Sequence, residues 1–161
     1  MACQSKKYVG REVLIEFAIS CGDAAPLPAD WKVFGAGRSK NLTLTYDTVD
    51  ATADDSQGAI RESLATWLAC EISVDGVCRR ADAADSNQTA LMKHYINPTA
   101  TGGQPIIMAR LTMPDITITT AMLMTEFSRE FPNDDVATWS LSMTATGSVV
   151  GFTVADTPVV P

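Results

Sequence analysis

Side chains able to do acid–base, nucleophilic or metal chemistry are few in this sequence, and they are poorly grouped for it. There is one histidine, His94, between Lys93 and Tyr95. One imidazole builds no metal cluster by the usual ligand rules, and no Ser/His/Asp arrangement surrounds it. It is expected to be a surface or half-buried residue of a helix. The cysteines Cys3, Cys21, Cys70 and Cys78 match neither a zinc knuckle nor a CxxC pair. Cys70 and Cys78 lie in strand-like sequence, where a thiol serves as a small apolar group. The spacing leaves a disulfide between any two of them open. Asp47, Asp50, Asp54 and Asp55 cluster, but without the D-x-[DN]-x-[DN]-G-x₅-E order of a calcium loop. They read as a solvated loop. Asp134 and Asp135 follow Phe131-Pro132-Asn133 and read as a hairpin turn. Gly35-Ala36-Gly37-Arg38-Ser39 lacks the GxxxxGK[ST] spacing of a phosphate loop and reads as a turn feeding a strand. No catalytic residue, metal or cofactor is expected. An enzyme using Asp134/Asp135 or Cys70 is the weakest reading, because no base, nucleophile and orienting group fall together.

The elements that would carry these groups are mostly strands by period-2 alternation. Residues 11–20 (REVLIEFAIS) are rich in β-branched and aromatic side chains, and 41–46 (NLTLTY) put Leu42, Leu44 and Tyr46 on one face. Along 67–77, Leu68, Cys70, Ile72 and Val74 oppose Glu71, Ser73 and Asp75, with Asp75-Gly76 as a turn signal. Segments 104–113 and 116–129 are separated by Pro114-Asp115, where proline's missing N–H costs no ladder bond. In 138–146, Trp139, Leu141, Met143 and Ala145 face away from a Ser/Thr row. Segment 149–154 closes the sheet.

Helical spacing appears over 84–96, with Asp85 or Ser86 as cap and Asn97-Pro98 as stop. Segments 21–37 and 47–63 remain as long connections, which are usually functional or disordered. Trp67 and Trp139 are expected to pack on a core or sheet face. Trp31, in a loop, is the better interface candidate.

The chain has 161 residues, 46% hydrophobic and 19% charged, with net charge −7. That is one domain's length and a globular balance. No apolar run approaches the ~20 residues of a spanning helix, so no membrane insertion is expected. The N-terminus lacks the apolar core of a signal peptide, which predicts a cytosol-like compartment. The acidity argues against ordinary binding to phosphate backbones.

The order of these pieces resembles the major tail tube proteins of long non-contractile-tailed (siphovirus-type) bacteriophages. The resemblance runs from about Arg11 to Gly151. Its carriers are the turn Phe34-Gly35-Ala36-Gly37-Arg38-Ser39 before strand 41–46, then the acidic segment from Asp47 through Asp54-Asp55-Ser56-Gln57-Gly58. A strand from Trp67 ending Ser73-Val74-Asp75-Gly76 follows, then the short helix and a Ser/Thr-rich strand closed by Gly147. The chain departs from the family's pattern after Gly58, where Ala59-Ile60-Arg61-Glu62 replaces a second aromatic.

The resemblance implies a mainly β, β-sandwich or barrel-like tail tube fold with one flanking helix. Six copies would form a ring whose inner sheets join into one barrel, and rings would stack into a tube that conducts DNA into the host. It implies a single domain, 1–161, with an N-terminal arm over 1–10 and a C-terminal tail over 155–161. The loop 47–63, with Asp47, Asp50, Asp54, Asp55, Ser56, Gly58 and Arg61, would reach neighbouring subunits or rings. Implied partners are further copies of the chain, the tail terminator, tail tip and tape measure proteins, and viral DNA passing without specific binding. The implied location is the phage tail, with host cytoplasm during assembly. The competing readings are a capsid decoration protein, a lectin-like binding module and a type VI-like secretion tube.

Deleting residues 50–58 is predicted to leave a folded subunit that no longer builds long tubes. Electron microscopy of the purified variant checks this, and continued polymerisation rejects an assembly role for the loop.

Overall fold

Strand formation here follows burial. The alternating segments have one apolar face to hide, and they hide it by curling a single sheet around it. The computed structural model describes residues 7–35, 37–53, 58, 60–80 and 87–156. The strands are β1 (Leu14–Ala18), β2 (Lys32–Val33), β3 (Gly37–Asp50), β4 (Ser63–Val77), β5 (Ile106–Thr112), β6 (Ile116–Glu130), β7 (Thr138–Ala145) and β8 (Thr153–Asp156). One helix, α1 (Gln88–Ile96), sits between β4 and β5. The antiparallel order is β2-β1-β5-β6-β7-β4-β3, with β8 pairing the first residues of β6.

The curl is visible in contacts between strands far apart in that order. Phe17 of β1 touches Phe34 with ring centroids 4.9 Å apart, and Phe34 stacks on Trp139 of β7 at 6.3 Å. Phe127 of β6 continues the row at 6.2 Å from Trp139, and Tyr95 of α1 lies 6.2 Å from Phe127. Lys40 Nζ of edge strand β3 donates to the Val13 carbonyl just before β1. Ile15, Ile72, Val74, Leu91, Ile107, Leu111, Met122, Met124, Leu141 and Met143 fill the same interior.

A second, smaller cluster lies on the other face of β1, β5 and β6: Ala18, Met108 and Ala121, covered by Trp31, Ile106 and Val150. The loops over it are joined by Val150 N–H donating to the Gly22 carbonyl at 3.1 Å. Gly22 has φ +79°, and a Cβ there would fall 2.5 Å from Ser148 Cβ. Only glycine fits that crossing.

Several sequence expectations need correction. β3 and β4 are longer than the alternation marks, so Asp47 and Asp50 are strand residues and the connection is 51–62. Asp75-Gly76 is no turn: Asp75 pairs Ser140 and Gly76 pairs Trp139 inside β4. Ala155 and Asp156 belong to β8, not to a tail. Gly10, the last residue of the expected N-terminal arm, opens a 3₁₀ turn over Gly10–Glu12, so the first strand begins at Leu14 rather than Arg11. Asp85 and Ser86, the expected caps, lie outside the described residues.

His94 is buried, not half-exposed. Its Nε2 lies 2.9 Å from the Ile106 carbonyl. Since a carbonyl only accepts, that nitrogen carries the proton, and the bond pins the end of α1 to β5.

Gln88 anchors the other end of α1. Its Nε2 donates to the Gly35 and Val77 carbonyls at 2.9 Å each, and its Oε1 accepts from Arg79 N–H at 3.2 Å. Truncation leaves these buried groups unpaired. Gln88→Ala is predicted to lower the unfolding free energy by about 1–3 kcal/mol in urea titration. Asn41→Ala, on the exposed polar face, is predicted to change it by less than about 0.5 kcal/mol.

Candidate assembly surfaces

Two features set this chain apart from a closed soluble barrel: a projecting two-stranded arm and a wholly polar sheet face.

The arm arises because β4 outruns its neighbour. β7 pairs β4 only from Glu71 to Val77, whereas β3 pairs β4 as far as Asp50 opposite Ser63. Over residues 63–70, β4 therefore has β3 on one side and no partner from β7 on the other. A register shift between Tyr46 and Thr48 marks a bulge within the arm, a device that raises local twist.

Apolar side chains continue past the core along this ribbon. Leu44 opposes Cys70 and Tyr46 opposes Leu68, and Leu44, Tyr46 and Leu68 are all exposed. Val49 opposes Leu64, and both are exposed, as is Ile60 in the connection. Trp67 is 78% exposed, which overturns the expectation that it packs on a core. Trp139 meets that expectation at 2%.

At the arm's end the turn is held by side chains. Asp50 Oδ1 accepts from the Thr52 hydroxyl at 2.5 Å and the Thr52 N–H at 2.9 Å. Thr52 Oγ1 accepts from Glu62 N–H at 3.0 Å, and Ala51 N–H donates to the Glu62 carbonyl at 2.9 Å. The bonds from Thr52, side chain first, hold the Asp50 carboxyl below its ordinary value. Asp47 and Arg61 are exposed, and Gly58 has φ +77°. Asp54, Asp55 and Ser56 lie outside the described residues. The candidate loop residues that are described thus gather on one arm.

The polar face is the reverse side of the core-forming strands. Directly opposed residues on antiparallel strands share a face. Asn41 opposes Ser73 and Thr43 opposes Glu71; across β4, Ser73 opposes Ser142, Asp75 opposes Ser140 and Glu71 opposes Thr144. Glu126 then opposes Ser142, Ser128 opposes Ser140 and Glu130 opposes Thr138. The Ser128 and Ser140 hydroxyls meet at 2.6 Å. These paired positions hold hydroxyls, one amide and the carboxylates of Glu71, Asp75, Glu126 and Glu130, and Arg38, the bulge residue between Gly37 and Ser39, lines a recess with Asp75, Ser128 and Glu130.

The other sequence candidates are not brought together. Trp31 is half-buried, with the Arg110 guanidinium 4.4 Å above its ring. Arg110 is itself held by Glu16 at 2.6 Å. Cys70 is buried, and burial, with a smaller contribution from the Glu71 carboxylate, pushes its thiol up. That disfavours the nucleophilic thiolate. Cys3 lies outside the described residues. Among the described residues no group of three His, Cys, Asp or Glu side chains converges on a metal position, and no helix is long and apolar enough to cross a membrane.

The polar face was legible in the Ser/Thr row of 138–146. The exposed Trp67 was not, because its strand alternates identically inside and beyond the core.

Known proteins bear on these features. The chain is similar to the structure described as "Virion of native gene transfer agent (GTA) particle", at 20% identity and TM-score 0.68, over 94% of this chain and 100% of that one. It is similar to the SPP1 tail tube at 14% identity and TM-score 0.62, over 94% and 80%. It is also similar to a chain of the anti-feeding prophage baseplate, at 12% and TM-score 0.63, over 94% and 97%. At these identities the likeness shows a shared fold. No curated protein matches the chain. Residues 8–151 match the sequence family described as "Phage tail tube protein", and the chain belongs to that family, as a structural component of a phage tail.

Proposed function

We propose that six copies of this chain close into a ring, that rings stack into a tube, and that the polar face of β3, β4, β7 and β6 lines its channel. The role is structural rather than catalytic. A GTA tail with a related fold is described with C6 symmetry, which supports the sixfold count. The observation that carries the reading is the two-sidedness of β4 and β7: one face is core, and the paired positions on the other hold hydroxyls and an excess of carboxylates, with Arg38 as the cation beside Asp75 and Glu130.

The chemistry suits a conduit. Duplex DNA carries about one charge per 1.7 Å of axis. Carboxylates at Glu71, Asp75, Glu126 and Glu130 repel it, while hydroxyls keep the wall wet. A face with cations in excess would instead neutralise phosphates, release counterions and hold the DNA.

Ring closure also answers the open edges. Unpaired N–H and C=O groups along β4 over residues 63–70 invite pairing, and closure removes such edges. The tail terminator, tail tip and tape measure proteins are the partners this role requires at the tube's ends and within its channel.

Purified protein imaged by electron microscopy is expected to give sixfold rings and stacked tubes. Tubes of Glu71→Lys/Glu126→Lys protein are expected to retain short duplex DNA in fluorescence anisotropy, with affinity falling steeply as salt rises. Wild-type tubes are expected not to retain it. Lysine-variant tubes that bind no more DNA than wild type overturn the channel assignment.

A further inference from the structure

We infer that the arm of one copy seats in the groove between β2 and the end of β4 on a copy in the adjacent ring. This rests on the stacked-ring reading above and names the surface that the arm contacts.

The first argument is position. Gly37 opposes Gly76 and Asp50 opposes Ser63, so the arm's tip and the Val77 end of β4 are opposite ends of one hairpin. At roughly 3.3 Å per residue they are separated by about 46 Å. A head-to-tail stack joins one end of a subunit to the other end of the next. The arm's receptor therefore belongs near Val77.

The second argument is shape. A groove of about 530 Å³ lies there, lined by Trp31, Lys32, Val33, Phe34, Arg79 and Asn87, with Gly35 at its base. Its frame is fixed. Asn87 Nδ2 donates to the Val33 carbonyl at 2.8 Å, and Gln88 bonds Gly35 and Val77. The arm offers exposed Val49, Ile60 and Leu64, and the groove offers exposed Val33 beside half-buried Trp31.

The third argument is charge. The described residues of the arm and its connection carry the carboxylates of Asp47, Asp50 and Glu62 against the one guanidinium of Arg61. The groove lining contains Lys32 and Arg79 and no carboxylate, and Arg80 follows Arg79 just past β4. An acidic, apolar segment meets a basic, apolar groove. The occupant is thus a second copy of this chain rather than nucleic acid, which the arm's acidity would repel in any ring where both surfaces lie close.

The test joins cross-linking to charge reversal. Tubes made from mixed ¹⁴N and ¹⁵N protein are treated with a zero-length carbodiimide, which couples amines to carboxylates, and analysed by mass spectrometry. Links between copies are expected from Lys32 to Asp47, Asp50 or Glu62. Lys32→Glu protein, with an unchanged urea midpoint, is expected to form rings but lose the sedimenting tubes. Adding Asp47→Lys and Glu62→Lys is expected to restore them. Wild-type tubes without the Lys32 links, or Lys32→Glu tubes as long as wild type, overturn the groove assignment and leave the stacked-ring reading intact. Wild-type protein that forms neither rings nor tubes overturns that reading, and this inference with it.

Discussion

The packing of Phe34 between Phe17 and Trp139 is the contact on which the architecture depends. The sheet order separates β1 from β7 by β5 and β6, so a flat sheet would never bring Phe17 and Trp139 onto a common ring. Phe34 bridges them, and the strands between must curl. Once curled, the sheet has an inside and an outside. The inside accepts Leu91 of α1 and the methionines of β6 and β7. The outside of β7, of β4 over residues 71–75 and of β6 over residues 126–130 carries no apolar load and is free to be hydroxylic and acidic. The same closure brings β3 over the entrance to β1, where Lys40 reaches the Val13 carbonyl. Tilted and stacked aromatic pairs of this kind contribute about 0.5–1.5 kcal/mol each beyond their area, so the row is a seam of several contacts rather than a single bolt.

The seam also explains why the arm can project. Hydrogen bonding from β7 ends at Glu71 and apolar burial ends at Cys70. Beyond that point β3 and β4 hold only each other. The Asp50–Thr52–Glu62 bonds then fix where the ribbon turns. Core, channel face and arm are thus three stretches of the same two strands, and which role a residue takes depends on its distance along β4 and on its parity.

That division marks what could be read from residues alone. Alternation located β5, β6 and β7 well, because each has one buried and one wet face, and Pro114-Asp115 stands where β5 and β6 separate. It truncated β3 at Tyr46, because Asp47 and Asp50 disfavour strands and both faces of the arm are exposed, leaving no contrast to detect. It misplaced Asp75-Gly76 as a turn because local turn chemistry was overridden by pairing with β7 on one side and β3 on the other. His94 read as a surface or half-buried residue because nothing local announces the Ile106 carbonyl that accepts its hydrogen bond. The family was legible in the order of short motifs. The groove at the end of β4 was not, since it joins residues near 33, 79 and 87 that only the fold brings together.

The bare outer arm has a thermal consequence. Leu44, Tyr46, Trp67 and Leu68 are held in water by a ribbon too thin to cover them. Whatever covers them on assembly removes apolar surface, and that process lowers the heat capacity and weakens on cooling. The apolar part of any such joint strengthens on warming and weakens on chilling, within the range where each subunit remains folded.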